Sequence, residues 1–120
     1  MLVDIDTGKT INYMPHKKEF DLWRSRLTHQ EFDTIINHLS SLMLGNEVHT
    51  SSWIPGNDWT NTIYDPIYSK ACNLHMNLSG LCFGLFVWYA FQQDGNEWYF
   101  GRFEKDGIPI KGMTYFKKKY

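Results

Sequence analysis

His49, Asp58 and Tyr64 fall within one stretch, HTSSWIPGNDWTNTIYDP (residues 49–66), and all three are residue types that move protons. An imidazole near its neutral point can serve as a general base, with a carboxylate to orient it or to act as the acid. Tyr64 and the Ser51–Ser52 pair would add hydroxyls. The same residues have a simpler account, because Asp58 suits a Gly-Asn-Asp turn and a solvated histidine needs no partner. Pro55 and Gly56 fit the centre of a type II turn, where the second residue takes positive φ. Backbone needs leave Trp53 and Trp59 unexplained, one on each side of that turn. Trp53 lies at the exit of a strand starting near Glu47 and is expected to anchor the loop on the core. Trp59 stands among Asn57, Asp58, Thr60, Asn61 and Thr62, so it is expected to line a pocket with Asn57 and Asp58, an apolar wall beside placed polar groups.

Other chemistries find less support. The histidines at 16, 29, 38, 49 and 75 make no HxH or HxxxH pattern and there is no CxxC, so neither a metal nor a cofactor is expected. His29 and His38 read as solvated helix residues. Cys82 lies in the most apolar run of the chain, while Cys72 precedes His75 by one helical turn and is the better nucleophile of the two. If both cysteines lie on one helix, a rise of about 1.5 Å per residue puts them roughly 15 Å apart and they cannot pair. In GRFEKDGIPIKGMTYFKKKY, Arg102, Lys105, Lys111 and the lysines at 117–119 alternate with rings, a pattern that suits stacking on single-stranded nucleic acid. A frayed, solvated tail explains the last three lysines as well. The segment DIDTGKT has no upstream glycine where a phosphate-binding loop needs one, since Val3 stands there.

Composition bounds what could hold these residues. The chain has 120 residues, 42% of them hydrophobic, which is enough for one domain with its own core and defines a single unit over 1–120. Twelve basic and thirteen acidic residues leave a net charge of −1, so no overall field draws the molecule to nucleic acid or an anionic membrane. Rings make up 17% of the chain, a supply for both a core and a binding surface. MLVDIDTGKT lacks a secretory signal, and with two free thiols this predicts a cytoplasmic protein. The apolar run LCFGLFVWYAF is too short to span a membrane, which takes about 20 residues.

Apolar spacing then predicts the elements. LVDID and KTINYM alternate around Thr7–Gly8 as a short hairpin, with Val3 and Ile5 facing Ile11 and Tyr13. Phe20, Trp23 and Leu27 repeat at helical spacing. Thr28 and Glu31 then form a capping box, with Leu27 and Phe32 at the staple positions, and a second helix follows through Met43 to a stop at Gly45. From Asp65–Pro66 to Gln93 one long helix is predicted, apolar all round in its second half, with a buried strand over 83–91 as the rival. Two aromatic runs around Asp106–Gly107 make a C-terminal hairpin. The fold class is α+β: an antiparallel sheet from N- and C-terminal hairpins, packed against two short helices and one long, largely buried helix. Such a helix is hard to cover with what remains, so a homodimer through Gly80, Gly84 and Trp88 is expected.

The functional expectation is a small cytoplasmic binding or interaction domain without catalysis of its own. It would recognise a small ligand or a protein partner through residues 49–66, with Trp59, Asn57, Asp58, Tyr64 and Arg102 at the site. The alternatives are a hydrolase- or transferase-like enzyme using His49 and Asp58 with Tyr64, and single-stranded nucleic-acid binding by the C-terminal hairpin.

Overall fold

Asp4 ends the first strand by capturing its own chain. Its carboxylate accepts from the amides of Asp6 (2.8 Å) and Thr7 (3.2 Å), and Gly8 takes a φ of +71° to complete the turn. The resulting hairpin, in a computed structural model that describes residues 1–4, 6–42, 48–50, 63–101, 104–105, 108–109 and 114–117, joins β1 (Leu2–Val3) to β2 (Thr10–Ile11). Its register differs from the predicted one: Leu2 is opposite Ile11 and Val3 opposite Thr10. Capture of the amides at 6 and 7 widens the loop and moves the last pair back to Val3.

Helix α1 (Lys17–Ser25) buries Phe20 and Trp23, and α2 (His29–Leu42) begins immediately behind it. The predicted capping box is present in both directions. Thr28 Oγ1 accepts from the Glu31 amide at 3.1 Å, and Glu31 Oε1 accepts from the Thr28 amide at 2.9 Å. Leu27, Phe32, Ile35 and Leu39 are buried on one face, while Met43 and Gly45 lie outside the described residues.

The segment predicted as one helix from 65 to 93 is two. Ile67–Ala71 is a widened, π-helical turn closed by the Cys72 amide on the Ile67 carbonyl at 3.0 Å. Asn73 and Leu74 then adopt φ of 51° and 65°, left-handed values that reverse the chain, and His75 caps a new start by accepting from the Leu78 amide at 3.2 Å. Helix α3 (Met76–Gln93) therefore has 18 residues, and 83–91 is helix, not strand. Asp94 ends it as expected, its amide on the carbonyls of Ala90 and Phe91. The Met1 ammonium donates to the carbonyls of Phe91 (2.6 Å), Asp94 and Asn96 (3.0 Å), a positive charge at the negative end of the helix.

The main sheet runs β2-β1-β4-β7-β3, with β3 at Val48–Thr50, β4 at Trp98–Gly101 and β7 at Thr114–Lys117. Helices on one sheet make an α+β fold, as expected, but the sheet is mixed. β1 runs parallel to β4, pairing Leu2 with Trp98, while the other three pairings are antiparallel. The C-terminal hairpin continues as β5 (Glu104–Lys105) against β6 (Ile108–Pro109), on either side of the expected turn pair 106–107, which itself lies outside the described residues.

Burial explains why α3 holds its place without a polar face. From Cys82 to Phe91 only Gly84 and Tyr89 are not buried. Phe86 meets Phe20 and Phe32 edge to face, at 5.7 and 5.2 Å between ring centres. Phe91 stacks on Tyr115 at 4.0 Å and meets Trp98 at 4.8 Å, tying the helix to β7 and β4. The second half of α3 is thus covered by its own chain. Trp88, expected at a dimer face, is buried, with Tyr13 tilted against it at 6.1 Å and Phe100 edge-on at 4.8 Å.

Candidate functional site

Both ends of the 49–66 segment are anchored. His49 sits in the edge strand β3 opposite Tyr115, and Thr50 sits opposite Thr114. At the other end Tyr64 is buried, meets Phe83 edge-on at 5.5 Å, and places its hydroxyl 2.6 Å from His38 Nδ1 on α2. Burial pushes the Tyr64 phenol above its usual value, so near neutral pH it keeps its proton. The phenol and Nδ1 share this bond in a direction set by the imidazole tautomer. His38 is exposed on α2, as expected of a solvated helix residue, and in addition bonds Tyr64. A phenol held protonated and already bonded is a poor base, so the geometry of Tyr64 suits positioning better than proton transfer. Ser51, Ser52, Trp53, Asn57, Asp58, Trp59 and Arg102 lie outside the described residues, as do Lys111 and the lysines at 118 and 119. Lys117 holds its ammonium 6.0 Å from the centre of the Trp98 ring, a contact within the fold.

Beside the anchored end lies a shallow, open depression lined by Thr28, Gln30, Glu31, Thr34, Ile63 and Pro66. Glu31 is its charged member. Lys70 Nζ at 2.7 Å and the Thr28 amide hold its carboxyl below the ordinary value. Among the described residues no group of three or more His, Cys, Asp or Glu could hold a metal ion, and no helix is long and apolar enough to cross a membrane.

A different surface was missed in the sequence. Leu78 and Leu81, one turn apart on α3, are 38% and 62% exposed, and Leu74 in the preceding turn is 63% exposed. Asn77 and Gly80 are exposed on the same half of the helix. A Cβ built at Gly80 or Gly84 meets nothing within 4 Å, so the fold itself gains no close contact from either glycine. No residue of α3 carries a charge. The periodicity of leucines at 74, 78 and 81 was visible, but it points to a core face when the helix is taken as continuous from 67. The break at 73–74 separates buried Ile67 and Ala71 from leucines that face outward.

Comparison with known protein families, with curated proteins and with solved structures gives no match.

Proposed function

We propose that the protein is a small cytoplasmic binding domain that forms a homodimer through the first half of α3 and presents the 49–66 segment to a ligand or protein partner. The observation that carries the dimer is the exposed, charge-free run of Leu74, Leu78, Gly80 and Leu81, with half-buried Gly84 one turn beyond. A second copy is the occupant that fits. Two such faces bring together no like charges, whereas a strongly charged partner would find no counter-charge there. Two glycines allow the helix backbones to approach, and the leucines on either side would fill the space between them. The contact is narrower than the sequence suggests, because Trp88 belongs to the core.

For the 49–66 segment, support comes from its anchoring. With β3 on one side of it and the Tyr64–His38 bond on the other, the segment is suited to hold a recognition surface, and the depression beside Ile63 lies at its end. Analytical ultracentrifugation over a range of concentrations tests the dimer. Wild type is expected to sediment as a dimer at high micromolar concentration, and Leu81→Asp as a monomer with an unchanged circular dichroism spectrum. A wild type that stays monomeric throughout, or a Leu81→Asp that still dimerises, overturns this reading.

A further inference from the structure

Three helices meet at one cation. Arg24, in the last turn of α1, is half-buried, and its guanidinium carbon lies 4.2 Å from the centre of the Phe32 ring on α2 and 5.6 Å from that of Tyr89 on α3. The rings are themselves held in place, because Phe32 and Tyr89 meet edge to face at 5.4 Å and Phe20, one turn before Arg24, stacks on Tyr89 at 5.7 Å. Such contacts draw on the charge of the guanidinium and leave its N–H donors unused. A cation taken partly out of water ordinarily finds a carboxylate, since its desolvation is costly without one. Arg24 has no such partner among the described residues. The acids on its own helix and on α2 are turned elsewhere: Asp21 holds Lys17 at 2.6 Å, Glu31 holds Lys70 at 2.7 Å, and Asp33 lies 3.7 Å from His29. Glu19, five residues back, is exposed on another side of α1, and α3 carries no charge at all. The half-buried Tyr89 likewise has no hydrogen-bond partner for its hydroxyl among the described residues. The negative end of α1 accounts for a positive charge at this position, but a lysine would serve that purpose as well as a stacked guanidinium.

We infer that Arg24 and Tyr89 form a binding site for an oxyanion, the phosphate or carboxylate group of a small molecule. The guanidinium is a planar fork whose paired donors match two oxygens of such a group. Packing on Phe32 fixes the long side chain during folding, so little of its freedom remains to be lost on binding. The Tyr89 hydroxyl, on the ring that flanks the same cation, adds an uncharged donor. The anion supplies the counter-charge that the fold leaves out here, and the attraction is local, since the net charge of the chain is −1. The site shares no residue with the leucine face of α3 or with the 49–66 segment.

The test is a titration of isotope-labelled protein with sodium phosphate, sodium acetate and sodium chloride at matched ionic strength, followed by NMR at the Arg24 Nε–H and at the backbone amides of α1. Wild type is expected to show a saturable shift with phosphate or with acetate that chloride does not reproduce, and the anion that saturates at the lower concentration identifies the group recognised. Arg24→Lys keeps the charge and loses the fork. It should weaken that binding about tenfold or more, the loss of one charge-assisted hydrogen bond. Tyr89→Phe, which keeps the ring, should weaken it less and leave the Arg24 shift saturable. Shifts that rise linearly and alike with all three salts would mean that Arg24 only packs on its rings, and the inference fails. Equal affinity in a folded Arg24→Lys overturns the role of the fork. The wild-type result stands whether or not either variant folds.

Discussion

Glu31 concentrates three functions in one carboxylate: it caps α2, pairs with Lys70 and borders the depression near Ile63. Its folded pKa lies below the ordinary 4.5, with the Lys70 bond as the largest cause. The unfolded chain therefore takes up its proton first as pH falls. The stabilisation is complete above about pH 5 and is lost as pH drops through the lowered folded value. Thermal unfolding followed by circular dichroism should show a falling midpoint below that point, with a shallower acid slope in Glu31→Gln, which keeps an acceptor for the Thr28 amide but not the charge. An unchanged slope would remove Glu31 from the account. Because Lys70 is half exposed, the ion pair contributes only about 0–1 kcal/mol. Thr28→Ala should cost about 1 kcal/mol through the lost cap. The capping box was legible because all its partners lie within four residues. The bond between Tyr64 and His38 was not, since its members are 26 positions apart and nothing local marks either as the other's partner.

At the level of elements, α3 combines a largely covered half with a more exposed one, Gly80 lying in the exposed part and half-buried Gly84 where the two meet. Glycine within a helix costs about 1 kcal/mol relative to alanine, and a Cβ at Gly80 would touch nothing in the fold. Gly80→Ala should accordingly raise the unfolding free energy of the protomer by about 1 kcal/mol in a urea titration carried out at a concentration where it is monomeric. A loss of stability would mean that the monomer needs this glycine after all. The two helices α1 and α2 were readable from apolar spacing and the second from its cap, and so was the C-terminal exit of α3 at Asp94. The break at 72–75 was not, because Asp65–Pro66 is a sound helix start and leucine has no sequence signal for a left-handed conformation. That one hidden turn accounts for two departures nearby, Cys72 and Cys82 lying on separate elements instead of one helix and three leucines facing outward.

Across the whole molecule, the hairpin of β1 and β2 joins a sheet whose other members are β3 from mid-chain and β4 and β7 from its last quarter. Hairpins were predictable from alternation, whereas the parallel pairing of β1 with β4 joins segments with almost the entire chain between them, and no local pattern encodes it. Leu2 is completely buried in the core, and the Trp98 amide bonds the Met1 carbonyl at 2.8 Å. Leu2→Ala should destabilise by about 2–5 kcal/mol, as buried leucine truncations do. Stopped-flow kinetics should place nearly all of that loss in faster unfolding, with the refolding rate little changed. A refolding rate that falls in proportion to the stability would show the opposite order. The parallel pairing thus has a temporal consequence. β1 cannot take its place beside β4 until the chain has been made as far as Trp98–Gly101. Until then the nascent chain carries Leu2 and Val3 without their partner strand, so a segment made early is buried late.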